Sequence, residues 1–515
     1  MGRFTGGIWR SPPRPAWPHR HSSTTWPRIT WGRLAQLANR ATRRRSPWNS
    51  RTEEENTMKR ELNILLGTLL AIACVALVAC GGDGGGDKVA PQQTAGGGAI
   101  PAIPSAPEAP GVTENRIVLG AHTARSGALA PLLQVALPGL YEGAEAFFSY
   151  MNDEHGGVCG GKKIDWRVED DQSTSEGALA ATKRLAEDDK VFAFFFSMGD
   201  FGHDPAVVQY LNERRIPDMY LVTGGDYADA DTLQHRFMFR SLTRYHDEGL
   251  VIAQYIRDNY PGKRVGILNV PEFQLVAATV QGVRDGLAGS DNEIVAEAKT
   301  SASNFDYMPQ VLTLKEAKPD IIVSSFLAPQ ASFLLTAMEK AGVAPDQWTL
   351  IGSSATSDTG VFNLVGDKLD KLGGYYATVF ARVDLYATDP RFAAYRDVLA
   401  RYKPELKPVN PYTWFAFASA ILMVETIERA CGKGPLTREG LVAAAESIDG
   451  NFRHIPPDIA SMLDTVPDPI KMSPTDHNPF GGWVVVRGQG GKWNLAGNTV
   501  FQIRDGKVTE GTVKQ

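Results

Sequence analysis

The sequence predicts an α/β chain of two doubly wound lobes with mainly parallel sheets. Two series of short apolar runs alternate with longer helical periods, one from Asn115 to about Arg240 and one after it. Val191 to Phe196 is apolar without interruption, as in parallel strands buried on both faces. The region that follows residue 114 is long enough for two such units, each with its own core.

In the first series, Ile117 to Gly120 reads as a buried strand. Leu140, Ala144, Phe147, Phe148 and Met151 then mark one face of a helix that Gly156-Gly157 stops. Strands are expected at Ile164–Val168, Val191–Phe196 and Met219–Val222, with helices at Ser175–Asp188 and Ala206–Arg214 between them. After Arg240 the cycle restarts with helix Asp247–Asn259, strand Arg264–Leu268 and helix Ala277–Leu287. Ile294–Ala298, Tyr307–Ala317, Ile321–Ser325, Gln330–Ala341 and Thr349–Ile351 continue the alternation. In doubly wound sheets ligands sit outside the carboxyl ends of the strands, so two such lobes would face each other across a cleft.

Ahead of these series lies an export pattern. Met58-Lys59-Arg60 precedes an apolar stretch from Leu62 to Val78, and Leu77-Val78-Ala79-Cys80 closes it. Those four residues resemble the lipobox of bacterial lipoproteins, which would make Cys80 the lipidated N-terminus; the alternative is a plain transmembrane anchor. Residues 58–79 are then signal peptide and 80–114, rich in Gly, Ala, Pro and Gln, a flexible tether. Residues 1–57 hold eleven Arg, no Lys and five of the ten Trp. They read as an upstream extension ahead of a true start at Met58, or as a basic arm.

Residues 1–79 carry 13 Lys and Arg against 4 Asp and Glu, which leaves 40 basic and 54 acidic side chains of the chain's 53 and 58. A body with a formal charge near −14 is a poor candidate for nucleic acid, whose binding needs clustered cations. The apolar run Trp414 to Val424, followed by Glu425 and Glu428, suits a buried core helix. Beyond Cys74 in the signal and Cys80, only Cys159 and Cys431 remain, and a disulfide and two free thiols are both open. No metal-site spacing occurs, and none of Gly-x-Ser-x-Gly, His-Glu-x-x-His or Cys-x-x-Cys is present. His454 and His477 are expected in surface loops. Neither a cofactor nor catalysis is expected.

Gly120-Ala121-His122-Thr123-Ala124-Arg125-Ser126-Gly127, a helix, and then Asn152-Asp153-Glu154-His155-Gly156-Gly157-Val158 resemble the opening of type I periplasmic binding proteins. That family includes the leucine-binding-like receptors of branched-chain amino-acid ABC importers. Val168-Glu169-Asp170-Asp171, Gln209-Tyr210-Leu211-Asn212, Ile216-Pro217, Asp285-Gly286-Leu287, Leu436-Thr437-Arg438-Glu439 and Ser473-Pro474-Thr475-Asp476 follow in the family's order. The resemblance covers about residues 115–500. It implies two Rossmann-like lobes, a first of 115–241 with 384–455 and a second of 242–383 with 456–515, joined by a hinge of three crossovers around an interlobe ligand cleft. Together with the lipobox it implies an extracytoplasmic protein, anchored to the membrane by lipid at Cys80, that closes on a small polar solute such as an amino acid, amide or carboxylate and delivers it to a membrane permease. A ligand sensor or a structural envelope lipoprotein of the same fold are the alternatives.

Ligand contacts are expected at strand-end loops, where Gly admits close backbone approach and hydroxyls can donate or accept. Ser126, Ser197, Gly199, Asp200, Thr223 and Gly224 are the first-lobe candidates, and Phe273 and Ser354 the second-lobe ones. Where the amino-acid receptors place a Glu against the ligand's ammonium, this chain has Gly352-Ser353-Ser354-Ala355. Asp200, Asp226 or Asp358 would have to replace that acid, or the ligand carries no amino group. Tyr375, Tyr376, Tyr412 and Trp414 are further candidates for the cleft wall, with burial in the core as the alternative.

Overall fold

A computed structural model describes residues 109–513 apart from 128–129, 131–132, 135–136, 138, 200–204, 226–234, 302–303, 326, 407–409 and 505–506. The signal, Cys80, the tether, Asp200 and Asp226 therefore lie outside the described residues.

The first βα series opens with β1 (Arg116–Thr123), α1 (Glu142–Glu154), β2 (Lys163–Asp170) and α2 (Ser175–Glu187). It continues through β3 (Ala193–Phe195), α3 (Pro205–Glu213), β4 (Asp218–Leu221) and β5 (Met238–Arg240). Helix α2 starts where its periodicity begins because the Thr174 hydroxyl accepts the Gly177 N–H. The strands form a five-stranded sheet in the order β2-β1-β3-β4-β5, with every pair parallel. Both faces are covered. Phe192 and Phe195 point into one core and Val191 and Phe194 into the opposite one, which accounts for the unbroken apolar run.

The second series runs α4 (Tyr245–Asn259), β6 (Val265–Asn269), α5 (Gln274–Leu287), β7 (Ile294–Lys299), α6 (Met308–Ala317), β8 (Ile321–Val323), α7 (Ala328–Lys340), β9 (Thr349–Gly352), α8 (Gly360–Val365) and β10 (Gly374–Val379). Helices α4 and α5 pack backbone to backbone at Gly249 and Gly282. A Cβ on Gly249 would lie 2.2 Å from the Thr279 carbonyl oxygen. The order β7-β6-β8-β9-β10 repeats that of the first sheet.

The chain then returns to the first core with α9 (Ala393–Tyr402), α10 (Pro411–Cys431), α11 (Arg438–Ala445) and α12 (Pro457–Leu463). Helix α10, capped by the Asn410 side chain on the Tyr412 N–H, is the expected buried helix, with Trp414 to Val424 wholly inside. Among the described residues no helix is long and apolar enough to cross a membrane. A disulfide joins Cys159, after α1, to Cys431 at the end of α10, with Cα atoms 5.7 Å apart.

Strands β11 (Gly482–Gln489), β12 (Lys492–Leu495), β13 (Thr499–Arg504) and β14 (Lys507–Thr512) complete the second sheet by antiparallel pairing from the β10 edge. The expectation of mainly parallel sheets therefore fits the first sheet and only half of the second. The last crossing was expected at residues 455–456. Instead Ile459, Met462, Leu463 and Phe480 pack in the first core, and the chain joins the second sheet at Gly482. His454 is exposed as expected. His477 is not in a surface loop: it is 1 % exposed, stacked 3.8 Å from Phe239, with Nδ1 2.9 Å from the Met238 carbonyl oxygen.

Candidate functional site

Both sheets have the order 2-1-3-4-5, counted within each lobe, and their carboxyl ends are where this topology leaves a crevice. A cavity of about 90 Å³ lies there, with walls from both lobes. Met198 and Val222 follow β3 and β4 of the first sheet. Leu275 follows β6, Leu327 follows β8, and Ser354 and Ala355 follow β9 of the second. Phe380, Ala381, Val383 and Tyr386 come from the crossing that leaves β10, and Tyr412 and Phe415 from the first turns of α10. Tyr245 opens α4 from the other crossing.

Most of this wall is apolar. A second compartment of about 250 Å³ shares Leu137, Leu140 and Met198 with it and is more polar, with Thr123, Arg125, Gln134, Glu142 and Glu145 in its wall.

Of the expected ligand contacts, Ser354 lines the cavity. The other described ones are not part of its wall. Ser126 is exposed and its N–H and hydroxyl both donate to Asp170. Ser197 is fully buried, with its hydroxyl 3.4 Å from Asp218 Oδ1. The Gly199 N–H donates to the Val222 carbonyl, and the Thr223 hydroxyl accepts from the Gly225 N–H. Gly224 packs on the helix that opens the second lobe, since a Cβ there would lie 2.2 Å from the Thr243 carbonyl oxygen and 2.6 Å from the Tyr245 ring. Phe273 is 8 % exposed in the second core. Among the further aromatic candidates Tyr412 lines the cavity, while Trp414 lies in the first core and Tyr375 stacks on Trp493 in the second. Tyr376 packs in a third core, beside Tyr255.

Two buried carboxyls sit close to the Ser354 loop. Glu248, in the first turn of α4, accepts from the Ser354 N–H (2.7 Å), the Ser354 hydroxyl (3.3 Å) and the Thr378 hydroxyl (2.8 Å). It has no exposed surface, and burial raises its pKa to about 7, with the Thr378 and Ser354 hydrogen bonds pulling the other way. Sequence spacing gave no sign of it, because Glu248 lies 106 residues from Ser354. Asp358 holds Asn410 Nδ2 at 3.0 Å and the Gly360 N–H at 2.8 Å, and burial raises its pKa to about 6. Asn410 therefore caps α10 with its oxygen while its nitrogen bridges to the second lobe. The Tyr412 hydroxyl makes a second bridge, to the Ala355 carbonyl oxygen at 3.0 Å.

Such a site offers walls from two cores, chain crossings between them and a few polar contacts across the gap. Among the described residues no group of three or more His, Cys, Asp or Glu is arranged to hold a metal ion.

No curated protein matches the chain significantly. Among solved structures, it is similar to a branched-chain amino-acid ABC transporter protein from Thermus thermophilus with bound valine. The TM-score is 0.63 at 18 % identity, covering 75 % of this chain and 96 % of that one. It is also similar to a fatty acid ABC transporter substrate-binding protein from Thermomonospora curvata, with a TM-score of 0.59, 18 % identity and coverage of 76 % and 93 %. A solute-binding protein from R. palustris in complex with benzoate gives 0.58, 18 %, and 74 % and 96 %. The family model described as periplasmic binding protein matches residues 116–492, most of the chain and both lobes. By that match the chain belongs to the periplasmic binding protein family.

Proposed function

We propose that this protein is the extracytoplasmic solute-binding component of an ABC importer, which encloses a small molecule between its lobes and presents the closed form to a membrane permease. The observation that carries this reading is the cavity at the carboxyl ends of both sheets, walled by both lobes and by the chain crossings between them. Family membership and the likeness to transporter proteins with bound valine and benzoate support it. The ligand shifts the balance toward closure only by its preference for the closed state. We assign 115–241 with 384 to about 481 to the first lobe, and 242–383 with the last strands to the second. We further propose that the Leu77-Val78-Ala79-Cys80 sequence supplies a lipid that tethers this body to the membrane.

Small-angle scattering with and without a panel of amino acids, amides, carboxylates and sugars tests the capture step. A bound solute should reduce the radius of gyration and raise the melting temperature. Unchanged dimensions and stability across the whole panel, on folded protein, would refute capture. For the tether, Cys80→Ala should move the protein from the membrane fraction to the soluble one, and membrane retention of that variant would refute the lipid.

A further inference from the structure

The interlobe cavity and the compartment of about 250 Å³ beside it differ in chemistry. They share Leu137, Leu140 and Met198, so those side chains form the boundary between them. Among the described residues the inner cavity is lined by no Asp, Glu, Lys, Arg or His, whereas the outer one is lined by Arg125, Glu142 and Glu145. An apolar chamber next to a charged one suits a ligand divided in the same way, with the polar groups fixing its orientation.

Which sign of charge the outer compartment takes follows from which of its own charges is left over. Glu145 is paired with Lys403, Oε2 to Nζ at 2.5 Å. Glu142 and Glu145 both lie in the first turn of α1, where the helix N-terminus favours negative charge. Arg125 has no such account. Its backbone N–H donates to Asp170, but among the described residues its guanidinium makes no hydrogen bond or ion pair. The carboxylates of its own neighbourhood are committed elsewhere. Asp170 accepts the N–H groups of Arg125, Ser126 and Gln172 and the Ser126 hydroxyl, and Asp171 holds His122 Nδ1 and the Ser173 N–H. The guanidinium also lies on the compartment side. Burial raises the pKa of Tyr141, another wall residue, while the Thr123 hydrogen bond and the nearby Arg125 charge pull it down.

We infer that the two compartments together take one amphipathic carboxylate, its apolar body in the inner cavity and its carboxylate in the outer compartment against the Arg125 guanidinium. This rests on reading the cleft as a solute-binding site. A planar guanidinium matches a carboxylate with two parallel N–H donors. The inner volume of about 90 Å³ sets the size of the apolar body. It is below the roughly 150 Å³ of an apolar cavity that admits benzene, so that body is no larger than a short branched chain. Both the apolar end and the anion would then meet first-lobe residues, Met198 and Arg125, before the second lobe closes.

The test is titration calorimetry on the full chain with three near-isosteric probes: 4-methylpentanoate, 4-methylpentanamide and 4-methylpentylamine. The carboxylate should bind about five- to tenfold more tightly than the amide, and the amine should bind most weakly. Because Arg125 is exposed, that preference should shrink as salt is raised. Arg125→Gln should abolish the preference by weakening the carboxylate and leaving the amide unchanged, and Arg125→Lys should restore part of it. The glutamine variant should melt with the parent, since the guanidinium makes no hydrogen bond within the described fold. If the amide or the amine binds as tightly as the carboxylate, the ligand class is overturned while solute capture stands. If Arg125→Gln keeps the preference, or weakens carboxylate and amide equally, the role of Arg125 is overturned. If none of the three binds to folded protein, this inference falls, and capture itself is then judged by the broader scattering panel.

Discussion

Glu248→Gln isolates the carboxyl that holds the Ser354 wall of the cavity. In the fold Glu248 titrates near pH 7 because burial disfavours its charged form, whereas in an unfolded chain it titrates near 4.3. Below the unfolded value both states are protonated and the group adds no pH dependence. Between the two values the folded state binds the proton more tightly, so stability is lost as pH rises; above about 7 the loss is complete. At about 1.36 kcal/mol per pH unit, the loss between pH 5 and 8.5 is roughly 2–3 kcal/mol. Glutamine has the shape of the neutral acid. Its oxygen can accept from the Ser354 N–H and the Thr378 hydroxyl, while its amide nitrogen faces the Ser354 hydroxyl, which turns to accept. Urea unfolding of both proteins at pH 5 and 8.5 reads the effect. The variant should be close to the parent at pH 5 and more stable by about 2–3 kcal/mol at pH 8.5. Asp218 and Asp358, also raised by burial, to about 8 and about 6, titrate in an overlapping range. Only the difference between variant and parent is therefore diagnostic. A difference that does not change with pH, or a variant that loses stability as pH rises, would refute the assignment of a largely neutral Glu248 at pH 5.

Three further outcomes are expected. Replacing Cys159 and Cys431 by Ser should cost about 2–5 kcal/mol in non-reducing urea unfolding, since the bridge closes a loop of 272 residues and restrains the unfolded chain; an equal midpoint for both proteins would contradict this. Gly224→Ala should displace Tyr245 from the cavity wall and destabilise by about 1–3 kcal/mol, because the added Cβ has neither the Thr243 carbonyl nor the Tyr245 ring at an allowed distance; thermal unfolding checks it. Tyr412→Phe removes the bond to the Ala355 carbonyl, worth about 0.5–1.5 kcal/mol, and should raise the radius of gyration of the unliganded protein if that contact holds the lobes together.

The two βα series were legible because each parallel strand, buried on both faces, reads as an apolar run, and each helix keeps one apolar face. Strands from β1 to β9 accordingly fall within a few residues of their expected positions, apart from the three-residue β5, Met238–Arg240. The C-terminal half of the second sheet was not legible in the same way. Val484 to Val486 is as apolar as any strand, but its partner is β10, whose Val379 lies 105 residues earlier opposite Val484. No local pattern encodes an antiparallel return after an excursion of that length through the other lobe.

The site was legible at its place and not in its character. Ser, Thr and Gly after strand ends invite a polar reading, yet in this chain those groups bond within the protein: Ser197 faces Asp218, Thr223 accepts from Gly225, and Ser126 donates to Asp170. The wall itself is made of residues such as Met198, Val222 and Leu327, whose type is that of any core position. Only three-dimensional placement separates an apolar side chain that fills a core from one that faces a cavity. Placement also divides the polar contacts by lobe. Glu248, Ser354 and Thr378 all belong to the second lobe and can move as one body, so their bonds survive opening. Asn410–Asp358 and Tyr412–Ala355 instead run from α10, in the first core, to the loop after β9. A motion that parts the lobes at this edge must break those two bonds. Their strength therefore enters the balance between open and closed forms, and with it the affinity for whatever the cavity encloses.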